Sequence, residues 1–209
     1  ASSAASDVYK RQNLSGMGAG TGFAPIVFRP EQEEAIEKTL KQFKTGSRML
    51  WNAKMRFGKT LSALQVVKKA GFAKTIIVTH RPVVDDGWYE DFQKIFYDTD
   101  DYTYGSKGHG TAIEDLLNSG KKFVYFASIQ DLRGSSTVGG KFDKNDAVFS
   151  LDWDLVIVDE AHEGTTTALG DDVIKNLVKE ENGYDTKFLA LSGTCLLYTS
   201  PSPRDRSLS

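Results

Sequence analysis

The stretch AKMRFGKT, Ala53–Thr60, decides the fold because it joins two segments of different hydrophobic period. The run SRMLWNA is typical of a strand, and KTLSALQVVKKA, which begins at Lys59, is typical of a helix that ends at Gly71. A turn of this kind presents backbone N–H groups to phosphate where the helix begins. Gly58 would let the backbone approach closely, Lys59 would reach the β- and γ-phosphates, and the Thr60 hydroxyl would bind Mg²⁺. The stretch therefore predicts a P-loop with ATP and Mg²⁺ as cofactors.

The loop departs from the general P-loop pattern, so a simpler interpretation has to be weighed. Ala53 stands where the first glycine of the pattern is usual, and Gly-Lys-Thr alone is short enough to occur by chance in a surface turn. The position between a strand and a helix favours phosphate binding over that alternative. The residues expected to surround the nucleotide are Ala53, Met55, Arg56, Phe57, Gly58, Lys59 and Thr60.

A second stretch, LVIVDEAH (Leu155–His162), places two adjacent carboxylates directly after four apolar residues. In a doubly wound fold such a strand delivers them to the carboxyl edge of the sheet, where ligands bind. Asp159 would hold Mg²⁺, directly or through water, and Glu160 would orient and deprotonate an attacking water. A solvated acidic strand end is the alternative, and the P-loop upstream argues against it. Together the two motifs predict an ATPase with Glu160 and Lys59 as catalytic residues.

The rest of the chain alternates between strands and helices, which predicts an α/β fold with a mostly parallel sheet between helix layers. The strands are expected at Ser47–Ala53, Lys74–His80, Lys121–Ile129, Asp154–Glu160 and Lys187–Ser192. The helices are expected from Pro30 to the residue before Gly46, at Lys59–Ala70, around Gly87–Ile95, at Thr111–Asn118 and at Asp171–Glu180. Two polar stretches, Tyr97–Gly110 and Gly134–Asp146, are expected to be loops.

These motifs, in this order, resemble the superfamily 2 DEAD/DEAH-box helicases and translocases, with Asp159–His162 as the DEAH box. FRPEQ (Phe28–Gln32) looks like the adenine-recognition segment of that family, with Gln32 as the amide that reads the base. LSGT (Leu191–Thr194) looks like the motif that links hydrolysis to movement. The resemblance covers Phe28–Thr194 and implies a RecA-like P-loop domain. It also implies a coupling role for His162, Ser192, Gly193 and Thr194.

Two further segments match the family where it contacts nucleic acid. THRPVV (Thr79–Val84) contains the end of the second predicted strand, and FASIQDL (Phe126–Leu132) contains the end of the next. Carried over residue by residue, the resemblance implies a nucleic-acid edge. That edge would consist of Thr79, His80, Arg81, Ser128 and Gln130.

Two groups near this edge have a structural alternative. Arg81 could equally pair with Asp85 or Asp86 in a loop instead of binding phosphate. Trp88, Tyr89 and Phe92 could stack on bases, but their spacing on a predicted helix favours packing in the core.

The amino-acid sequence of the P-loop most resembles that of helicases associated with type I and type III restriction systems and their phage relatives. This finer resemblance implies DNA rather than RNA as the favoured nucleic acid. It also implies nuclease or modification subunits as further partners. Helicases of this type use a second RecA-like domain, whose arginine completes the ATP site and whose movement drives translocation.

Composition sets limits on partners and location. The chain has 26 basic and 28 acidic residues, a net charge of −2, so any nucleic-acid site must be local. The one cysteine, Cys195, excludes a disulfide framework and a thiolate metal site. No apolar run approaches the roughly 20 residues that a membrane helix needs. A cytoplasmic protein without membrane partners is therefore expected.

Both ends of the chain differ in character from the rest. Asp7–Gln12, DVYKRQ, and Cys195–Ser200, CLLYTS, can be encoded by one DNA element read in opposite orientations. The element resembles the end of a transposon-based sequencing adapter, so residues 1–12 and 195–209 are interpreted as artefact. Residues 13–27 are expected to form a flexible lead-in and residues 28–194 a truncated helicase domain, which would bind ATP weakly, hydrolyse it poorly and unwind nothing. Codons at either end that do not match this element would refute the hypothesis.

Two other functions are open at this point. One is a nucleotide-binding regulatory module without turnover, against which the intact P-loop and acidic motifs argue. The other is a P-loop ATPase that acts on a substrate other than nucleic acid. The matches at Arg29–Gln32 and Ser192–Thr194 argue against this second alternative.

Overall fold

The computed structural model describes residues 22–143, 145–161, 168–181 and 184–193. The strands are β1 (Arg48–Asn52), β2 (Lys74–Thr79), β3 (Tyr102–Ser106), β4 (Lys122–Ser128), β5 (Leu155–Asp159), β6 (Glu180–Glu181), β7 (Tyr184–Asp185) and β8 (Lys187–Ser192). The helices are α1 (Pro30–Thr45), α2 (Lys59–Ala70), α3 (Asp85–Ile95), α4 (Ile113–Asn118), α5 (Ile129–Arg133), α6 (Asp146–Ser150) and α7 (Ala168–Leu177). Single 3₁₀ turns lie at Pro82–Val84 and Ser136–Val138.

Six of the strands form one sheet in the order β1-β8-β5-β2-β4-β3, and every neighbouring pair in it is parallel. Strands β6 and β7 form a separate antiparallel pair. All five residues of β5 are buried, because helices cover both faces of the sheet. The predicted α/β fold with a RecA-like parallel sheet is confirmed.

Two apolar cores lie on opposite faces of the sheet, and alternate residues of β5 contribute to each. Leu155 and Ile157 pack with side chains of α1, α2 and α3, whereas Val156 and Val158 pack with α4 to α7. This alternation follows from the two-residue period of a strand. The core on the first face is the one that positions the P-loop, because α2 begins where that loop ends.

Most predicted elements are confirmed, with strand bounds that agree to within one residue. The predicted loop at Tyr97–Gly110 is wrong, because it contains the edge strand β3, which pairs with β4. This strand looks polar in sequence, yet Tyr104 is buried against Phe92 with ring centroids 5.4 Å apart. Its hydroxyl donates to Asp85 at 2.6 Å, so the polar atom is satisfied inside the core.

Two other boundaries also need correction. Helix α7 spans Ala168–Leu177 instead of Asp171–Glu180, and Glu180 lies in β6. The predicted loop at Gly134–Asp146 contains a 3₁₀ turn, and its last residue begins α6. Among the described residues, none of the helices combines the length and apolar character that would let it cross a bilayer.

Candidate active site

The two predicted motifs meet at the carboxyl edge of the sheet, because β8 lies between the strands that precede them. The backbone N–H of Ala53, at the start of the P-loop, donates to the carbonyl of Ser192 at 2.9 Å. The backbone N–H of Ala161, just after the acidic pair, donates to the carbonyl of Leu191 at 2.9 Å. Strand β8 therefore holds the P-loop and the acidic motif next to each other at the carboxyl edge of the sheet.

The backbone of the P-loop turns through two residues with positive φ, and glycine occupies one of these positions. Gly58 has φ +78°, in the left-handed region, and Arg56 adopts φ +68° although it is not glycine. A Cβ atom at Gly58 would lie 2.6 Å from Nε2 of Gln32. Only glycine therefore fits between this turn and α1 without displacing the amide.

Side chains from the start of α1 hold the P-loop by its backbone carbonyls. Gln32 Nε2 donates to the carbonyl of Phe57 at 2.7 Å. Arg29 Nη2 donates to the carbonyls of Phe57, at 2.6 Å, and of Arg56, at 2.9 Å. The carboxamide oxygen of Gln32 accepts the backbone N–H of Arg29 at 2.8 Å. Gln32 thus bridges α1 and the P-loop, and its contact with an adenine base stays a prediction.

A cavity of about 360 Å³ adjoins the P-loop on its α1 side. Trp51 and Phe57 contribute aromatic walls, and Arg29 and Glu31 contribute charged groups. Met55, at the outer end of the loop, is 88% exposed. The volume falls at the lower end of the range for small-molecule sites, and apolar walls with a few polar groups are typical of them.

Lys59, at the first position of α2, contacts both carboxylates of the acidic motif. Its Nζ bonds to Oε1 of Glu160 and lies 3.4 Å from Oδ1 of Asp159. Glu160 has φ +53°, so the backbone leaves the end of β5 through a left-handed residue. The lysine and both acids therefore share one position, and a triphosphate would compete with the carboxylates for the ammonium group.

Asp159 and Thr60 together have the oxygen chemistry that Mg²⁺ requires. Asp159 is 4% exposed, and its Oδ2 accepts the indole N–H of Trp88 at 3.0 Å. Its Oδ1 is buried and accepts no hydrogen bond from the described residues. This oxygen lies 3.4 Å from Nζ of Lys59, so it already faces a cation that Mg²⁺ would replace, and Mg²⁺ binds through one or two protein oxygens with phosphates and water. In the described part of the chain no cluster of three acidic, His or Cys side chains offers another metal site.

The hydroxyl of Thr60 makes a contact that the sequence did not predict. It donates to Oδ2 of Asp91, a residue of α3. Burial raises the pKa of the Asp91 carboxyl above its usual value, and the Thr60 hydrogen bond partly offsets that effect. Asp91 and Trp88, which contact the two predicted Mg²⁺ ligands, are thus site residues that the sequence analysis missed. Trp88 was correctly predicted to be a core residue, at 1% exposed.

The predicted coupling residues lie only partly in the described structure. Ser192 is 6% exposed at the end of β8. A Cβ atom at Gly193 would lie 3.5 Å from Oε2 of Glu160 and 3.9 Å from Nζ of Lys59. Gly193 therefore lies directly against the Lys59–Glu160 pair, while the predictions for His162 and Thr194 fall outside the described residues.

The predicted nucleic-acid edge is assembled from the ends of β2 and β4. Gln130 Nε2 donates to the carbonyl of His80 at 3.1 Å, which joins the two segments. Thr79 is buried, and its Oγ1 accepts the backbone N–H of Arg81 at 3.2 Å. Ser128 is buried too, and its Oγ caps α5. The exposed side chains of this edge are Arg81 and Gln130, so they are the ones that a polymer would meet first.

The arrangement defines a class of protein. A parallel sheet with a P-loop after its edge strand and an Asp–Glu pair after a central strand is typical of a RecA-like helicase domain. The chain belongs to the family described as type III restriction enzyme, res subunit, whose model matches residues 25–196. The interpretation as the N-terminal domain of a superfamily 2 helicase related to restriction systems is confirmed.

Individual relatives agree with this assignment. A Mycoplasma pneumoniae protein, described as the C-terminus of a type II restriction enzyme and methyltransferase, is 29% identical over 153 residues, which cover 66% of this chain and 20% of that protein. The SWI2/SNF2 ATPase core of Sulfolobus solfataricus in complex with dsDNA shares the fold, with a TM-score of 0.61, 17% identity and coverage of 82% of this chain and 33% of that one. The UvsW helicase of bacteriophage T4 gives a TM-score of 0.56 and 16% identity, and the match covers 88% of this chain and 58% of that one. The chain spans between 20% and 58% of the length of these relatives.

Proposed function

We propose that the chain is the ATP-binding and ATP-hydrolysing domain of a DNA-dependent helicase or translocase. The observation that carries the proposal is the convergence of Lys59, Asp159 and Glu160, with Oδ1 of Asp159 buried, facing the ammonium group of Lys59 and accepting no hydrogen bond from the described residues. A lysine at a helix N-terminus beside two carboxylates is what binding a nucleotide with its metal requires.

Each residue then has a defined role. Lys59 binds the β- and γ-phosphates, and Thr60 and Asp159 hold Mg²⁺. The cation, when bound, neutralises the negative charge of the phosphates. Glu160 accepts a proton from the attacking water, since its carboxylate is partly exposed and would be released from Lys59 when the phosphates take over that ammonium group.

DNA is the proposed partner because of the relatives and the edge formed by Arg81 and Gln130. A restriction enzyme of Mycoplasma pneumoniae and an ATPase core in complex with dsDNA are among the similar proteins. Phosphate contacts from arginine and amide side chains position a protein on the DNA backbone without reading its sequence. Nuclease or modification subunits are further proposed partners.

A second RecA-like domain is part of the proposal. Helicases of this type obtain the arginine that completes the ATP site from a second domain. Residues 28–194 alone are therefore expected to bind ATP weakly, hydrolyse it poorly and unwind nothing. Appreciable unwinding of a duplex by this chain by itself would contradict this part.

The test measures phosphate release by the intact protein with no polymer, with DNA and with RNA. We expect stimulation by DNA above stimulation by RNA. Lys59→Ala should abolish nucleotide binding or turnover, whereas Glu160→Gln should keep ATP bound without hydrolysis, since an amide cannot accept the proton. Normal turnover by Glu160→Gln would refute the assignment of the base. No release with either polymer, despite ATP binding, would favour a regulatory module instead.

A further inference from the structure

We infer that Trp88 and Asp91 of α3 are positioning residues that set the two magnesium ligands of this domain. The inference rests on the proposed function, and it names residues outside both motifs. Each of the two predicted Mg²⁺ ligands, Thr60 and Asp159, is hydrogen-bonded to one of these side chains.

The contact of Asp91 fixes the direction of the Thr60 hydroxyl. A hydroxyl has one proton to donate and two lone pairs that accept. Because the proton of Thr60 goes to Oδ2 of Asp91, the lone pairs are turned away from α3 and are free to bind a cation. Without an acceptor at position 91 the hydroxyl could rotate, and its proton could point toward the metal position.

The contact of Trp88 fixes the Asp159 carboxylate in a similar way. An indole N–H is a donor only, so it selects one of the two oxygens, Oδ2, at 3.0 Å. Trp88 is 1% exposed and held by the core, which prevents the indole from following a rotating carboxylate. Oδ1 is buried, accepts no hydrogen bond from the described residues and lies 3.4 Å from Nζ of Lys59, so it is the oxygen presented to a cation.

Both contacts come from one rigid element. Trp88 and Asp91 are three residues apart on α3, so they lie on the same face of the helix. A single 3₁₀ turn, Pro82–Val84, separates Arg81 from the start of that helix. Helix α3 therefore connects the proposed DNA edge to both metal ligands, and a shift of this one helix would move both partners together.

The test is the Mg²⁺ dependence of nucleotide binding, measured at equilibrium with a fluorescent ATP analogue in EDTA and across a Mg²⁺ titration. Asp91→Ala should raise the Mg²⁺ concentration for half-maximal binding about tenfold. This is the lower end of the loss in metal affinity that usually follows removal of a hydrogen-bond partner of a metal ligand. Binding in EDTA should not change. Asp91→Asn keeps an acceptor oxygen and should restore most of the Mg²⁺ response.

Glu90→Ala is the matched control for Asp91, because both carboxylates pair with Lys94, Glu90 at 2.9 Å and Asp91 at 3.8 Å, and Glu90 is 65% exposed. This variant should keep the wild-type Mg²⁺ response. A loss of response in Glu90→Ala equal to that in Asp91→Ala would overturn the inference, since a general effect on α3 would then explain both.

Trp88→Phe and Trp153→Phe form a second matched pair. Both indoles are fully buried, and that of Trp153 donates to a backbone carbonyl away from the site, at 2.8 Å. Both variants should melt at a lower temperature, but only Trp88→Phe should require more Mg²⁺. If Trp88→Phe does not fold, the Asp91 variants decide the question.

The failures of the two proposals can be distinguished. A wild-type protein that binds the analogue equally with Mg²⁺ and EDTA would overturn the proposed metal site and this inference with it. A wild-type protein with a clear Mg²⁺ response that Asp91→Ala and Trp88→Phe leave unchanged would overturn only the inference about α3.

Discussion

Replacing Gly58 with alanine should destabilise the domain through two separate effects. An L-residue at φ +78° costs about 1–2 kcal/mol relative to glycine. The new Cβ atom would also lie 2.6 Å from Nε2 of Gln32 and push the amide away. Gln32 makes two hydrogen bonds, to Phe57 and from Arg29, and losing both costs about 2 kcal/mol.

The expected loss in the free energy of unfolding for Gly58→Ala is therefore about 3 kcal/mol. For a chain of this size that lowers Tm by about 6–12 °C. Urea denaturation followed by circular dichroism gives the free energy directly. Gly71→Ala is the control, because Gly71 has φ +69° but its Cβ atom would meet only Lys122 Nζ, at an ordinary 3.8 Å. It should cost only the backbone part, about 1 kcal/mol.

A double-mutant cycle separates the two effects. In a Gln32→Ala background the amide is gone, so adding Gly58→Ala should cost only the backbone part, about 1 kcal/mol. The coupling between the two changes is then about 2 kcal/mol. Equal losses for Gly58→Ala and Gly71→Ala, or strict additivity in the cycle, would refute the steric argument.

Three further predictions concern other parts of the domain. Arg29→Ala removes hydrogen bonds to two P-loop carbonyls and should weaken ATP binding roughly tenfold in equilibrium titrations, a change of about 1.4 kcal/mol; unchanged affinity would contradict the role of Arg29 in holding the loop. Gly193→Val places a branched side chain against Glu160 and should lower turnover more than ATP binding, as single-turnover kinetics would show. Burial raises the pKa of Tyr102 to about 12 in the folded protein, so its contribution to stability is complete below pH 10 and is lost as pH rises toward 12. Tyr102→Phe should therefore flatten the alkaline loss of stability between pH 10 and 12, and an unchanged pH profile would show that other groups cause it.

Local signals in the sequence predict the elements around the P-loop well. Helix α2 has both predicted ends, because Gly58 precedes it and Gly71, in the left-handed conformation, terminates it. Strand β5 is predicted because a run of apolar residues is typical of a strand buried on both faces. These features depend on neighbours in the chain, and such neighbours are visible in one sequence.

The missed elements depend on contacts that are distant in the chain. Strand β3 was predicted to be a loop, because its Gly, Ser and Thr residues weaken the strand pattern, and pairing with β4 overrides that preference. The start of α7 was placed at Asp171, although the helix begins three residues earlier. Local propensity gives helix ends only to within a few residues.

The residues of the site also divide into those that local sequence predicts and those that depend on distant contacts. Its motif residues were predicted, but their partners were not, since Asp91 is 31 residues from Thr60 and Trp88 is 71 residues from Asp159. Gln32 shows a further limit, because the sequence identifies it as an amide near the nucleotide but not as the hydrogen-bond donor to Phe57. The spacing of residues in a sequence does not reveal which side chains share a hydrogen bond across the sheet.

The position of β1 at the edge of the sheet has a consequence for synthesis of the protein. In the described sheet β1 pairs with β8, and Arg48 lies opposite Phe188 near the far end of the domain. Until β8 leaves the ribosome, the strand that precedes the P-loop has no partner, and one side of β5 is open to wrong pairing. The P-loop is therefore synthesised early, whereas the strand that precedes it is paired late. In ribosome-stalled chains, β1 should resist proteolysis only once β8, which ends at Ser192, has left the ribosome.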